Sequence, residues 1–138
     1  MSQDSVWEVQ AAVFSRLAAA SSLTAVLADG ADSVFDHVPQ GSAFPYIVLG
    51  EISAQSFETQ GGGGYDITLA VHSYSKGLGM KEVRGIMAAV FAQLHEASFA
   101  VTGQTLVQCR LASAETRLEA DGLTRHGLQH FRIITEPA

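Results

Sequence analysis

The residues of this 138-residue chain that could do chemistry are five histidines, one cysteine and a run of four glycines. His126 and His130 have the HxxxH spacing that chelates zinc from one face of a helix. Both sit in an alternating segment that reads as a strand, where four residues span about 13 Å, too far for two ligands of one ion. No metal site within the chain is therefore expected. His37, beside Asp36, has the form of an oriented base, but no Ser or Cys nucleophile can be placed next to it. A loop histidine with a local hydrogen bond is the simpler reading. Cys109 lies among alternating apolar residues and reads as a small buried hydrophobe. A single cysteine excludes an internal disulfide and a CxxC site.

The run Gly61-Gly62-Gly63-Gly64 is not a phosphate cradle. Such loops follow a strand and open a helix; here a strand follows, and there is no Gly-Lys-Ser/Thr. The carboxylates Glu51, Glu58, Asp66, Glu115, Glu119 and Asp121 are scattered without the spacing of a paired acid–base site. Arg110, Arg117, Arg125 and Arg132 share the C-terminal hairpin and are half of the 8 Lys+Arg residues. Pairing with Glu115 and Glu119 across the ladder is one reading. A basic inner surface that meets DNA or an acidic partner is the other.

The elements that must position these residues follow from periodicity. Residues 5–20 read as an amphipathic helix with Val6, Val9, Val13, Leu17 and Ala20 on one face, opened by a Ser5–Glu8 capping box. A short helix over Leu23–Ala28 stops near Gly30. Val34-Phe35 is a short strand or extended entry, and Pro39 to Pro45 is a rigid connector that sets how the first helices sit on the sheet. Tyr46–Ser53 and Tyr65–Tyr74 are strands, joined by the polar, glycine-rich residues 55–64 as a mobile tip. A second long helix covers about 79–97; its interior Gly85 is expected to allow close packing. Leu106–Leu118 and Leu123–Thr135 are strands around an Asp121-Gly122 turn. Hairpins on both sides of a helix imply an α+β fold: a mainly antiparallel sheet with two long helices packed on one face, in a single domain, residues 1–138.

Composition limits the function. The hydrophobic share is 47% and the charged share 16%, enough for a core and too little charge for disorder. A net charge of −6 disfavours nonspecific nucleic-acid binding. No apolar run approaches the roughly 20 residues that cross a bilayer, and the polar, acidic start Met-Ser-Gln-Asp-Ser does not read as a signal peptide. The expectation is a soluble protein made in the cytoplasm, with no membrane partner.

The chain also resembles a known family along most of its length. The Ala-rich helix Ala11-Ala12-Val13-Phe14-Ser15-Arg16-Leu17 is followed by the two sharpest stretches, Val34-Phe35-Asp36-His37-Val38-Pro39-Gln40-Gly41 and Phe44-Pro45-Tyr46-Ile47-Val48-Leu49-Gly50. His72-Ser73-Tyr74-Ser75, Arg125-His126-Gly127 and Phe131-Arg132-Ile133-Ile134-Thr135-Glu136 continue the pattern. In these it resembles the tail-completion, or tail-terminator, proteins of long-tailed bacteriophages and gene transfer agents. The resemblance implies a non-enzymatic virion subunit without cofactor that forms a ring, a hexamer. The ring would end tail-tube polymerisation and join the tail to the head-side connector, with DNA passing through its lumen unread. Its partners would be its own copies, the tail-tube protein and the connector protein, first in the bacterial cytoplasm and then at the head–tail junction. Gln55, Gln60, Gly61, Gly62, Gly63 and Gly64 are the candidate contact loop. Arg110, Arg117, Arg125 and Arg132 are candidate lumen or inter-subunit residues. The rival readings are a small-molecule-binding regulatory α+β domain with the loop as lid, and a hydrolase using His37 or His72.

Overall fold

The protein, represented by a computed structural model, is described over residues 5–59 and 62–138. Its elements are α1 (Ser5–Ala19), α2 (Ser21–Thr24), a 3-10 turn (Gly30–Ser33), β1 (Val34–Phe35), β2 (Tyr46–Thr59), β3 (Gly62–Ser75), α3 (Lys81–Leu94), β4 (Gln104–Leu118) and β5 (Arg125–Pro137). The five strands form one sheet in the order β1-β2-β3-β5-β4. β1 runs parallel to β2, and the other neighbours are antiparallel.

The 3.6-residue period of α1 buries Val9, Val13 and Leu17, and that of α3 buries Val83, Ile86, Val90 and Leu94. All of these but Val83 join Ile47 and Leu49 of β2, Ile67, Leu69 and Val71 of β3, Cys109 of β4, and Phe131 and Ile133 of β5 in one core. Each side chain of that size contributes about 1.5–3 kcal/mol when buried. The Pro39–Pro45 connector is tied to the first helices by Ala28 N–H, which donates to the Pro45 carbonyl at 3.0 Å. The Phe44–Pro45 bond is cis. The Ser5 side chain, expected as a cap, lies outside the described residues.

Two expectations are corrected. β2 and β3 do not stop at Ser53 and Tyr65. Their pairing runs on through Gln55↔Asp66, Phe57↔Gly64 and Glu58↔Gly63 to Thr59↔Gly62, so Gly62, Gly63 and Gly64 belong to a strand; Gln60 and Gly61 lie outside the described residues. β5 leaves β3 at Tyr65↔Thr135. Beyond that point the hairpin is a two-stranded arm. Glycine is a poor strand former alone, but a partner strand satisfies its backbone groups and overrides propensity.

Gly85 is not a close-packing position: a Cβ there would meet nothing within 4 Å. The glycine that admits a neighbour is Gly127, where a Cβ would stand 2.5 Å from Met87 Sδ and 3.1 Å from Val83 Cγ2. α3 therefore rests on the sheet through Gly127.

Gly85→Ala is expected to raise unfolding free energy by about 0.5–1 kcal/mol, because alanine loses less entropy in an exposed helix. Phe131→Ala, which empties the core, is expected to cost about 3–5 kcal/mol. Urea denaturation of both variants measures these opposite signs.

Candidate functional site

Alternation along β3 and β5 sorts their side chains. Ile67, Leu69, Val71 and Ser73 of β3, with Gln129, Phe131 and Ile133 of β5, point to the core and are buried. Asp66, Thr68, His72 and Tyr74, with His126, Leu128, His130 and Arg132, occupy the far side. The register sets Tyr74 opposite His126 and His72 opposite Leu128, so the two imidazoles are diagonal neighbours. They meet head to head: His72 Nδ1 lies 2.7 Å from His126 Nε2, with ring planes 18° apart.

Each imidazole is backed by a carboxylate. His72 Nε2 lies 2.8 Å from Glu51 Oε1, and His126 Nδ1 lies 2.8 Å from Glu119 Oε1. The second contact is off the line a hydrogen bond needs, so it counts as a close charge contact. Glu51 reaches His72 because the β2–β3 register shifts between Leu49 and Ile52. Gly50 makes room at that bulge, since a Cβ there would stand 2.5 Å from the His72 ring. Glu119 comes from the β4–β5 turn, which Asp121 holds by accepting the N–H groups of Leu123 and Thr124 at 2.9 and 2.8 Å and the Thr124 hydroxyl at 2.7 Å. Those bonds hold the Asp121 carboxyl down at about 2.

Aromatic rings cover the pair. Tyr74 stacks on His126 at 4.5 Å and 11°. Tyr46 packs on Tyr74, and Phe44 and Phe35 pack on Tyr46. Burial raises the phenol pKa of both tyrosines. Burial, followed by the neighbouring His72, lowers the pKa of His126. The hydrogen bond from His72 lowers that of Glu51.

The other predicted residues are dispersed. His130 Nδ1 pairs with the Ser113 hydroxyl at 3.2 Å, and not with His126. His95 accepts the Leu111 N–H at 3.1 Å, and Glu96 N–H donates to the Cys109 carbonyl at 2.7 Å, so both cover part of the outer edge of β4. His37 and Asp36 are exposed. Cys109 is buried, and its thiol pKa is pushed up to about 11, which removes it as a nucleophile. Among the described residues no cluster of three or more His, Cys, Asp or Glu could hold a metal ion, and no helix is long and apolar enough to cross a membrane.

The four arginines do not form one basic surface. Arg132 makes a two-pronged pair with Asp66, with contacts of 2.6 to 3.2 Å, and each lies opposite a β5 or β3 residue on the far side. Arg110 reaches Glu96 at 3.5 Å. Arg125 Nη1 donates to the Leu123 carbonyl at 2.9 Å, and its alternation places it with Gly127 and Gln129. Arg117 is exposed opposite His126. Neither Arg110 nor Arg132 takes the Glu115 or Glu119 partner expected from the ladder. The structure does bring Gln55 and Arg132 together: with Ser56, Asp66 and Ile134 they line a hollow of about 360 Å³ at the base of the arm. The His72–His126 pair was not legible in sequence; the only signal was that both fall at far-side positions of alternating segments.

A partly free sheet edge and a two-stranded arm leave backbone groups with which another chain could pair. The whole fold has a counterpart: a chain in the structure titled "Virion of native gene transfer agent (GTA) particle" superimposes with a TM-score of 0.87 and 25% identity, covering 98% of this chain and 99% of that one. The model of the family described as "Tail completion protein gp17" matches residues 11–136, and the chain belongs to that family. Tail completion protein gp17 of Bacillus phage SPP1 is 31% identical over 90 residues, which is 65% of this chain. The match spans 66% of that relative's length.

The lowered pKa of His126 fixes a sign. The unfolded chain takes up its proton near 6.5 and the folded chain only at lower pH. The stability this group contributes is present above 6.5 and is lost as pH falls through that value towards the folded one. Melting temperature is expected to drop from pH 7 to pH 5 in the wild type and to drop less in His126→Gln. The carboxylates Glu51, Asp66 and Asp121, all lowered, withdraw stability in a separate window below about pH 4.

Proposed function

We propose that this protein is a non-enzymatic tail subunit of a phage or phage-like particle, a single domain that forms a closed ring. The ring ends tail-tube growth and joins the tube to the head-side connector. The observation that carries this reading is the family match over residues 11–136 together with a fold shared over nearly the whole of a chain from a gene transfer agent virion. In this reading both long helices lie on the core side of the sheet, and the far side and the arm are left for neighbours. The ring is a hexamer, assembled in the bacterial cytoplasm and carried at the head–tail junction, with DNA passing through the lumen without specific contacts.

Physical chemistry supports the assignment. A ring requires head-to-tail contacts between unlike surfaces that close on themselves. This chain has two unlike free edges: the outer edge of β2 beyond its short pairing with β1, and the part of β4 beyond the cover of His95 and Glu96. Free edges pair with strands of another chain. Exposed apolar Leu118 at 48% and Leu123 at 60% stand at the end of the sheet opposite the arm, so the two ends offer different chemistry to the two sides of a ring. Gln55 at the base of the arm, Gly62–Gly64 on it, and Gln60 and Gly61 contact a neighbouring ring or tube subunit. Arg110 and Arg117 are the arginines free enough to face a lumen or neighbour, whereas Arg125 and Arg132 are committed within the subunit.

The small-molecule reading is less well supported. A groove of about 590 Å³ lies beside α1, lined among others by Glu8, Ser15, Arg16, Gln93 and Phe99. The glycine-rich arm takes no part in it, so it has no lid there.

Electron microscopy of purified full-length protein is expected to show six-fold rings, and particles are expected to carry one ring at the head–tail junction. Shortening the arm by deleting Gly61–Gly64 is expected to leave the melting temperature nearly unchanged and to yield tails of irregular length or unjoined heads. A compact monomer that binds neither tube nor connector would overturn the reading.

A further inference from the structure

Two stretches of strand are exposed on both faces. In an antiparallel sheet with one side packed on helices, exposure alternates from residue to residue. Ser53, Ala54, Gln55 and Ser56 of β2 break that pattern, and so do Ala112, Ser113, Ala114 and Glu115 of β4; in each run four consecutive residues are exposed. Both runs lie on outer edges. β1 pairs with the outer edge of β2 only at Ile47 and Val48. β4 ends the strand order, and Glu96 and His95 cover its outer edge at Cys109 and Leu111. Three antiparallel pairings separate β2 from β4, so these two strands run in opposite directions. A second copy set beside the first in the same orientation therefore brings its β2 edge antiparallel to the first copy's β4 edge.

We propose, resting on the ring reading, that β4 of one copy adds to β2 of the next with Arg117 opposite Glu51, so that one sheet continues from copy to copy. Alternation and charge set this register. Glu51 reaches His72 on the far side, and Arg117 lies opposite His126 on the same side. Directly opposed residues of an antiparallel pair share a side of the sheet, so the acid and the base face each other. The same register sets Glu115, Ala114, Ser113 and Ala112 opposite Ser53, Ala54, Gln55 and Ser56, and the two exposed runs coincide residue for residue. Leu118 then falls opposite Gly50, short of Val48, where β1 begins its pairing. The side chains of both runs are small or polar, which leaves the unpaired backbone groups as the main attraction.

This register also closes on itself. Followed through one copy, the pairings lead from Arg117 to His126, to Tyr74 and to Tyr46. Tyr46 is five residues before Glu51 (51 against 46), so each copy staggers the wall by five residues over the four strands β2, β3, β5 and β4. With about 3.3 Å per residue and about 4.8 Å between strands, the strands tilt about 40° from the ring axis. Closed sheets settle at roughly 35–45°. The tilt does not depend on the number of copies. An unlike-edge seam of this kind satisfies the head-to-tail contact that a ring needs.

The test is thiol cross-linking of the full-length protein carrying both Ala54→Cys and Ala114→Cys. These positions stand opposite each other across the seam, about 4.5–5.5 Å apart at Cβ. Cys109 is buried, so the unsubstituted chain is the blank, and a melting curve checks that each variant folds. With a short bifunctional thiol reagent, the double variant is expected to give a ladder on a denaturing gel that rises to the copy number of the ring. Each single variant is expected to stay a monomer, and a mixture of the two single variants to stop at dimers. Rings seen by electron microscopy without that ladder would overturn the seam and leave the ring reading standing. A chain that forms neither rings nor a ladder would overturn both. Dimers from either single variant alone would show that like edges meet, and would also overturn the seam.

Discussion

Strand β3 is hydrogen-bonded along both sides, to β2 from Gly62 to Tyr74 and to β5 from Tyr65 to Ser75. That double pairing is the constraint on which the molecule depends. It forces β3 to keep strict alternation, because a slip of one residue would turn every side chain to the other side. Ile67, Leu69 and Val71 must then face α1 and α3, and Asp66, His72 and Tyr74 must face away. The core and the far-side polar line are two consequences of one register.

Irregularities in the flanking strands turn this regular frame into a specific surface. The shift between Leu49 and Ile52 gives β2 an extra residue opposite β3, which brings Glu51 over His72 while Gly50 clears space for the ring. Shifts at Leu106/Gln108 and Leu111/Ser113 keep β4 aligned with β5 on the core side at Cys109 and again at Ala114. They also distort an edge that would otherwise be a flat template for uncontrolled pairing. His95 and Glu96 cover the stretch between them. An edge part covered and part free limits where a strand of another chain can add.

Much of the fold was legible in the residues. The helical period of Val9, Val13 and Leu17, the alternation of Ile67, Leu69 and Val71, and Asp121-Gly122 each named an element of the right type, because burial on one face imposes its period on sequence. Less was legible where a partner decides the conformation. The stretch from Gln55 to Gly64 looked like a loop because polar residues and glycine have weak strand preference. Its pairing depends on the opposite strand, which no local window contains. Gly85 was misjudged in the same way, and the pressed Gly127 carried no signal: space around a glycine belongs to the neighbouring element, and only the packing of α3 on β5 shows which glycine is pressed.

The sequence by itself determined the elements, their order, the α+β class and the family, since periodicity, turn residues and family pattern are all written along the chain. It also excluded a helix-style His126–His130 metal site, because strand geometry sets their separation. Tertiary structure alone decided that His126 would meet His72, 54 residues away, and that Glu51 and Glu119 would close the line at either end. It also decided that Arg132 would be held by Asp66, and that Gln55 would share a hollow with Arg132. These are contacts across strands and through bulges. Their distances follow from register and pleat, and register is a property of pairs of strands.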